Sequence, residues 1–240
     1  MRIAVISDIH ANKEALDGVI ESIEKHSIDK TYCLGDLVDY GVEPKYCIDT
    51  VKEIFDVCLR GDHDHVASKG NGYLLFNSDA QASAKWTSKN ILKRHKMYLG
   101  ELELTSTMET MFFVHSTPDK PEQWKYVSNT LQAGRQFPHF DGKICFVGHA
   151  HIPGLYTVDG YDRIYREGLI FLDKTKRYIV NVGSVGQPRD FDPRTCYVIY
   201  DEEWGTIEFV RILYDVYKAS QKIAKAGISE FNAKRILVGR

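Results

Sequence analysis

The residues of this chain that could do chemistry are gathered at five places. Asp8 and His10 follow the apolar run Ile3 to Ile6. Gly35-Asp36 follows Thr31 to Leu34, with Asp39 three residues on. Gly61-Asp62-His63-Asp64 follows Val57 to Leu59, His115 ends Met111 to Val114, and Gly148-His149-Ala150-His151 follows Ile144 to Val147. Imidazole and carboxylate side chains together suit divalent transition metals, and Mn, Fe, Zn and Ni all accept them. One metal uses three or four such ligands. Asp8, His10, Asp36, Asp62, His115, His149 and His151 are seven, enough for two metals sharing a bridging carboxylate. Two metals about 3.5–4 Å apart can clamp the attacking and leaving oxygens of a phosphoryl displacement. Asp8 and His10 are two apart, as are His149 and His151, so on an extended strand end each pair points one way.

The elements that must position these residues are legible in the hydrophobic pattern. Continuous apolar runs predict buried strands. Between them, Ala15, Leu16, Val19, Ile20 and Ile23 mark one face of a helix, and Pro44 opens another carrying Cys47, Ile48, Val51, Ile54 and Phe55. The resulting βαβαβ order implies a parallel sheet with right-handed crossovers. Ligands of open α/β sheets bind outside the carboxyl ends of the strands, where all five clusters fall. From Ser68 to Leu99 the β character fades, and Ser78 to His95 predicts one or two helices, a helical insertion beside the strand ends. After Pro153 come short segments with turn residues between them: Leu155 to Val158, Leu169 to Leu172, Tyr178 to Val180, Cys196 to Tyr200 and Ile207 to Arg211. These predict antiparallel strands. Tyr214 to Leu237 returns to helical periodicity, with Gly227 as a break.

Composition narrows the classes. With 240 residues and no repeat or linker, a single domain spanning residues 1–240 is expected. The balance of 31 basic against 33 acidic residues gives no sign of nucleic-acid polymer binding, though a small phosphorylated substrate needs only local positive charge. The five cysteines, Cys33, Cys47, Cys58, Cys145 and Cys196, form no C-x-x-C pair and predict buried free thiols. The amino terminus turns polar too soon for a signal peptide, and no apolar stretch reaches the roughly 20 residues of a membrane span. A soluble cytoplasmic protein is expected; its oligomeric state is open, a homo-oligomer included. A nucleotide-binding dehydrogenase is excluded, because Ser7-Asp8-Ile9-His10-Ala11-Asn12 lacks the glycines that admit a pyrophosphate.

Taken in order across residues 5–151, the five motifs resemble the calcineurin-like metallophosphoesterases. Leu34 to Pro44, Asn181 to Asp190 and Tyr214-Asp215-Val216 resemble a bacterial phosphodiesterase-like branch of them. The resemblance implies two mixed β-sheets packed as a sandwich and flanked by helices, a four-layer αββα arrangement. It implies a first metal held by Asp8, His10 and His151, a bridging Asp36, and a second metal held by His115, His149 and the residue at position 62. It places His63 over the phosphate, as donor or general acid, and a metal-bridging hydroxide as nucleophile. The expected activity is phosphate-ester hydrolysis with two divalent ions, Mn favoured. Phosphodiesters or dinucleotides are favoured substrates, with monoesters and phosphoproteins next.

The family pattern has Asn where this chain has Asp62. Ionised Asp adds charge and removes an N–H donor. Tighter metal binding with a poorer attraction for phosphate is therefore expected, and a metal-bearing scaffold with lost catalysis is the alternative. Asp8 alone could instead cap the following helix. Asp39 is a candidate to orient His63, with Asp64 competing for that role. Arg189, in a Gly-rich stretch, is a candidate substrate contact. His65 is expected in a loop, and His26, His95 and His139 at the surface.

Overall fold

Strand β1 (Arg2–Ile6) is apolar without alternation because both its faces are covered. Ile3 and Val5 enter one core layer and Ala4 and Ile6 another, all fully buried. The computed structural model describes residues 1–72, 74, 76–160, 162–164 and 167–240. In it β1 pairs in parallel with β2 (Lys30–Cys33), and β2 with β3 (Val57–Cys58). Helices α1 (Lys13–Ile23) and α2 (Pro44–Ile54) make the crossovers. The Asn12 side chain accepts from the Ala15 N–H and so caps α1, a role that Asp8 does not take.

The other edge of β1 pairs antiparallel with β11 (Thr195–Asp201), followed by β12 (Thr206–Ile212) and β9 (Gly168–Phe171). A second sheet runs β4 (Thr105–Met108), β5 (Met111–Val114), β6 (Ile144–Val147), β10 (Tyr178–Asn181), β7 (Gly154–Thr157) and β8 (Asp162–Ile164). Both six-stranded sheets are mixed, and they pack face to face. Ile3, Val5, Leu34, Val198 and Phe209 of the first meet Phe113, Phe146 and Val180 of the second. Outside the first sheet, Leu16, Val19, Ile48 and Val51 pack on Ala4, Ile6 and Tyr197. Outside the second the cover is thinner: the short α6 (Thr130–Gly134) and nearby turns bring Ala133, Phe137 and Phe140 onto Val114, Val147 and Ile179. This is the expected α/β sandwich.

Helix α3 (Asp62–Lys69) begins inside the third motif, and α4 (Ser78–Asn90) and α5 (Lys93–Glu101) follow it. Residues 73 and 75 of the expected insertion lie outside the described residues. The tail forms α7 (Val216–Ala226) and α8 (Glu230–Arg235), broken by Gly227 at φ 66°. Lys222 ties α7 to the sheet-side helices through Glu14 at 2.6 Å and Glu43 at 2.8 Å. Three expectations are corrected. His95 is buried, because its Nδ1 accepts from the Leu92 N–H at the start of α5 and its Nε2 faces Asp49 at 3.2 Å. His65 belongs to α3 rather than to a loop. Cys58 is half-buried, although all five cysteines are free.

Candidate metal centre

The five turns converge at one edge of the sandwich, and their backbone is unusual. Asp8, His10, Asp36, Asp39, His149 and His151 have φ of 56°, 49°, 57°, 70°, 63° and 59°. Non-glycine residues seldom enter this left-handed region, and each such residue costs of order 1–3 kcal/mol. The expectation that paired ligands leave an extended strand end is therefore corrected. Each chain turns sharply as it leaves the sheet, and the left-handed residues aim their side chains back across the edge. The turns hold one another: the N–H groups of Asp8, His10 and Ala11 donate to the carbonyls of Gly35, Asp36 and Leu37 at 2.9–3.0 Å. Gly186 N–H donates to the Asp8 carbonyl at 2.9 Å, and Gly148 N–H to that of His115 at 2.9 Å. Asp64 pins the second and third turns together by accepting from the N–H groups of Asp36 (2.7 Å), Leu37 (2.9 Å) and Gly61 (3.1 Å).

Two sets of ligand atoms result. Asp8, His10, Asp36 and His151 form one, and Asp36, Asp62, His115 and His149 the other, every residue buried. In the first, His151 Nε2 lies 3.2 Å from Asp8 Oδ1 and 3.1 Å from His10 Nε2, and His10 Nε2 lies 3.7 Å from Asp36 Oδ2. In the second, His115 Nε2 is 3.3 Å from both Asp36 Oδ2 and Asp62 Oδ1, and His149 Nδ1 is 3.1 Å from Asp62 Oδ1. Asp36 is common to both.

The donor set fits divalent cations. Asp8 Oδ2 accepts from the His149 N–H at 3.0 Å, and Asp36 Oδ1 from the His63 N–H at 3.0 Å. Their other oxygens, Asp8 Oδ1 and Asp36 Oδ2, are buried without a hydrogen-bond partner, as is Asp62 Oδ1. These three orphaned oxygens are the ones that face the imidazoles, and such groups are costly to bury unless something satisfies them. Three of the four imidazoles are oriented for the same purpose. His10 Nδ1 lies 2.9 Å from the Val38 carbonyl, His151 Nδ1 2.6 Å from that of Gln187, and His149 Nε2 3.0 Å from that of Trp124. Donating the outer N–H to a carbonyl leaves the inner nitrogen as a lone-pair ligand. Burial and the positive field of Arg189 bring His151 down to about 4, against the pull of Asp8, so its neutral form prevails. Burial would raise Asp8, but His151, His115 and His10 outweigh it and keep the carboxyl ionised. Asp62 is held low in the same way, burial being overcome chiefly by His149 and His63.

His63 stands outside both sets. Its Nδ1 is 2.7 Å from Asp39 Oδ2, and its Nε2 points towards the cluster, 3.9 Å from Asp62 Oδ2. Burial disfavours its charged form, yet the fields of Tyr40, Asp36 and Asp62 and the bond to Asp39 raise it well above the ordinary value. Of the two carboxylates competing to orient it, Asp39 makes the contact and Asp64 is engaged with backbone. Arg189 is half-buried, with Nη2 donating to Gln187 Oε1 at 2.8 Å and the guanidinium 5.8 Å from the Tyr40 ring.

Several site residues carried no sequence signal. Tyr40 packs edge-on to His10 at 4.6 Å, Tyr126 stacks on His149 at 4.0 Å, and Phe76 lies 4.5 Å from His63. With Trp124 they come from segments without helix or strand periodicity. The only hint was the presence of large aromatics in polar loops.

Comparison with known proteins agrees with this geometry. The chain belongs to the calcineurin-like phosphoesterase superfamily, whose domain model matches residues 1–204. It is 36% identical to an uncharacterized protein of Methanocaldococcus jannaschii, covering 99% of this chain and 98% of that one. Its structure is similar to a metallophosphoesterase from Sphaerobacter thermophilus, at 32% identity, full coverage of both chains and a TM-score of 0.90. It also shares its fold with a hypothetical protein from Pyrococcus horikoshii OT3, at 19% identity, coverage of 100% and 98%, and a TM-score of 0.81. Family and ligand clusters together support a metal-dependent phosphoester hydrolase. Among the described residues no helix is long and apolar enough to cross a membrane.

Proposed function

We propose that this protein hydrolyses phosphate esters with two divalent metal ions, Mn²⁺ favoured, and that phosphodiesters of the dinucleotide kind are its main substrates. The observation that carries the reading is the three orphaned carboxylate oxygens of Asp8, Asp36 and Asp62 facing four imidazoles, with Asp36 shared. Asp8, Asp36, His10 and His151 would hold one ion, and Asp36, Asp62, His115 and His149 the other. When bound, the pair supplies Lewis acidity and an activated water at neutral pH.

The chain's own residues supply the rest. His63, protonated and held by Asp39, donates its Nε2 proton to the leaving oxygen as the P–O bond breaks, so that no alkoxide is expelled. Its position beyond both ligand sets leaves that proton free for transfer. Arg189 adds positive field on the His151 side, where an anionic substrate gains from it. The retention of a buried His63–Asp39 pair favours catalysis over a scaffold role, because a scaffold gains nothing from a buried acid aimed at its metal site. A cytoplasmic location belongs to the same reading, supported by five free cysteines.

The test is turnover of bis(p-nitrophenyl) phosphate and p-nitrophenyl phosphate by protein reconstituted with Mn²⁺, Fe²⁺, Zn²⁺ or Ni²⁺. Metal-dependent turnover, faster for the diester, is expected. Binding of two metals without turnover of either ester would support the scaffold reading.

A further inference from the structure

Beside the second ligand set lies a cleft of about 720 Å³, with Asp62 and His149 at its inner end. Phe76, Trp124 and Tyr126 supply aromatic surface along it, and Lys69 stands at its rim. These three rings belong to none of the hydrophobic clusters that pack the sheets and helices. Tyr126 is 49% exposed, so its ring is offered to the cleft rather than spent on a core.

The rings are also tied to the site. Tyr126 lies parallel to His149, with centroids 4.0 Å apart and an interplanar angle of 12°. Phe76 lies 4.5 Å from the His63 ring. Trp124 is 6.3 Å from His115 and 5.8 Å from His65. Its backbone is left-handed, at φ 51°, as is that of Lys120 at φ 51°, so the short turn at Pro121–Gln123 is bracketed by two strained residues. That strain is maintained where the Trp124 carbonyl receives the His149 Nε2–H at 3.0 Å. The loop that presents the indole is thus fastened to a ligand imidazole.

We infer that this cleft is a subsite for a nucleobase, received against the rings of Phe76, Trp124 and Tyr126. The inference rests on the phosphoesterase reading above and assigns the residues that hold a base of its substrate. Phosphate alone fills a small fraction of this space, whereas the volume lies in the range that holds a nucleoside-sized ligand. Aromatic rings give a base a stacking surface whatever its edge, because every base has a π-face. Lys69 and Gln123 place polar groups beside the aromatic surface, suited to sugar hydroxyls and base edges. A methyl ester would cover little of this aromatic surface and gain little from it.

The test uses the full-length, Mn²⁺-loaded protein and competitive inhibition of bis(p-nitrophenyl) phosphate hydrolysis. Adenosine 5′-monophosphate and methyl phosphate present the same anionic group and differ in the nucleoside. Adenosine 5′-monophosphate should inhibit at least about 10-fold more tightly, and Trp124→Ala should reduce that ratio by about 10-fold, consistent with one base–aromatic stack. Trp124→Phe should restore most of the ratio, and Tyr126→Ala gives an independent second reading should Trp124→Ala fold poorly. Adenosine 5′-monophosphate should quench indole fluorescence in the parent and in Trp204→Phe, and lose that quenching in Trp124→Phe. Equal inhibition by the two phosphates, or an unchanged ratio in both Trp124→Ala and Tyr126→Ala, would overturn the inference while leaving the hydrolase intact. Absence of turnover for every ester, with fluorescence quenching retained, would instead remove the hydrolase reading and leave a nucleotide-binding cleft.

Discussion

His63 Nδ1 meets Asp39 Oδ2 at 2.7 Å across 24 residues of chain, with both side chains buried. Neither residue belongs to a ligand set, so the pair is a separate unit beside the two clusters. Its geometry fixes which imidazole nitrogen faces the ligand clusters, because Nδ1 is spent on the carboxylate and Nε2 is turned towards Asp62.

Replacing His63 by Ala should therefore keep the metals and lose on the order of 10²–10⁴ in rate for poor leaving groups. For p-nitrophenolate, which needs little protonation, the loss should be much smaller. Metal content and a leaving-group series measure both quantities. Equal losses across the series would assign His63 to phosphate binding instead.

Asp39→Asn weakens the hydrogen bond that helps raise His63. The acid form is needed, so activity is present below the His63 pKa and lost as pH rises through it. In Asp39→Asn the alkaline limb of the rate profile should move to lower pH, with about 10-fold or greater loss at neutrality. An unmoved limb would assign Asp39 to packing alone.

Loss of a ligand should be site-selective. His151→Ala should reduce metal content mainly at the first set and His149→Ala at the second, and Asp36→Asn should affect both. Elemental analysis distinguishes these cases. Chelation should also destabilise the fold, since ligand at about 100 Kd contributes about 2.7 kcal/mol. For a chain of this size that is a fall in Tm of roughly 5–10 °C. Full metal and full activity in both histidine variants would show that the ligand assignment is wrong.

Asp62 Oδ1 lies 3.3 Å from His115 Nε2 and 3.1 Å from His149 Nδ1, so its extra charge falls on the second set. Asp62→Asn should bind the second metal more weakly, yet turn over roughly 10-fold faster at saturating Mn²⁺, with a lower KM for anionic esters, because one ligand's charge is worth about 1–3 kcal/mol there. Steady-state kinetics across a Mn²⁺ titration decide the matter. A variant slower at every concentration would show that Asp62 is tuned for catalysis.

Gly61 and Gly148 should not tolerate a methyl group. A Cβ at Gly61 would lie 2.0 Å from Asp36 Oδ1, and one at Gly148 would lie 2.1 Å from Ser7 Oγ and 2.8 Å from Asp8 Oδ2. Gly61→Ala should displace the shared carboxylate, lowering metal content at both sets and costing about 1–3 kcal/mol of stability. Calorimetry and metal analysis of Gly61→Ala would show it, and unchanged metal binding would sink the argument.

The sequence by itself determined the parallel β1–β2–β3 core and the tail helices, because burial on two faces of a strand and one face of a helix leaves a local periodicity. It also determined the seven ligand candidates, since each stands where an apolar run ends. It did not reveal β4 or β8, short edge strands whose pairing comes from a neighbour rather than from their own composition. Nor could it choose between Asp39 and Asp64, both acidic and both close in sequence to a motif. That choice is made in three dimensions, where Asp64 is consumed by three backbone N–H groups and only Asp39 is left to meet His63. The left-handed backbone at Asp8, His10, Asp36, His149 and His151 was equally illegible, because Asp and His enter that region more readily than most residues yet adopt it only in a small minority of positions. It persists because hydrogen bonds between turns distant in sequence hold it there. Phe76, Trp124 and Tyr126 became part of the site for a related reason: a ring in an aperiodic loop acquires a role only when the fold sets it against His63, His115 and His149.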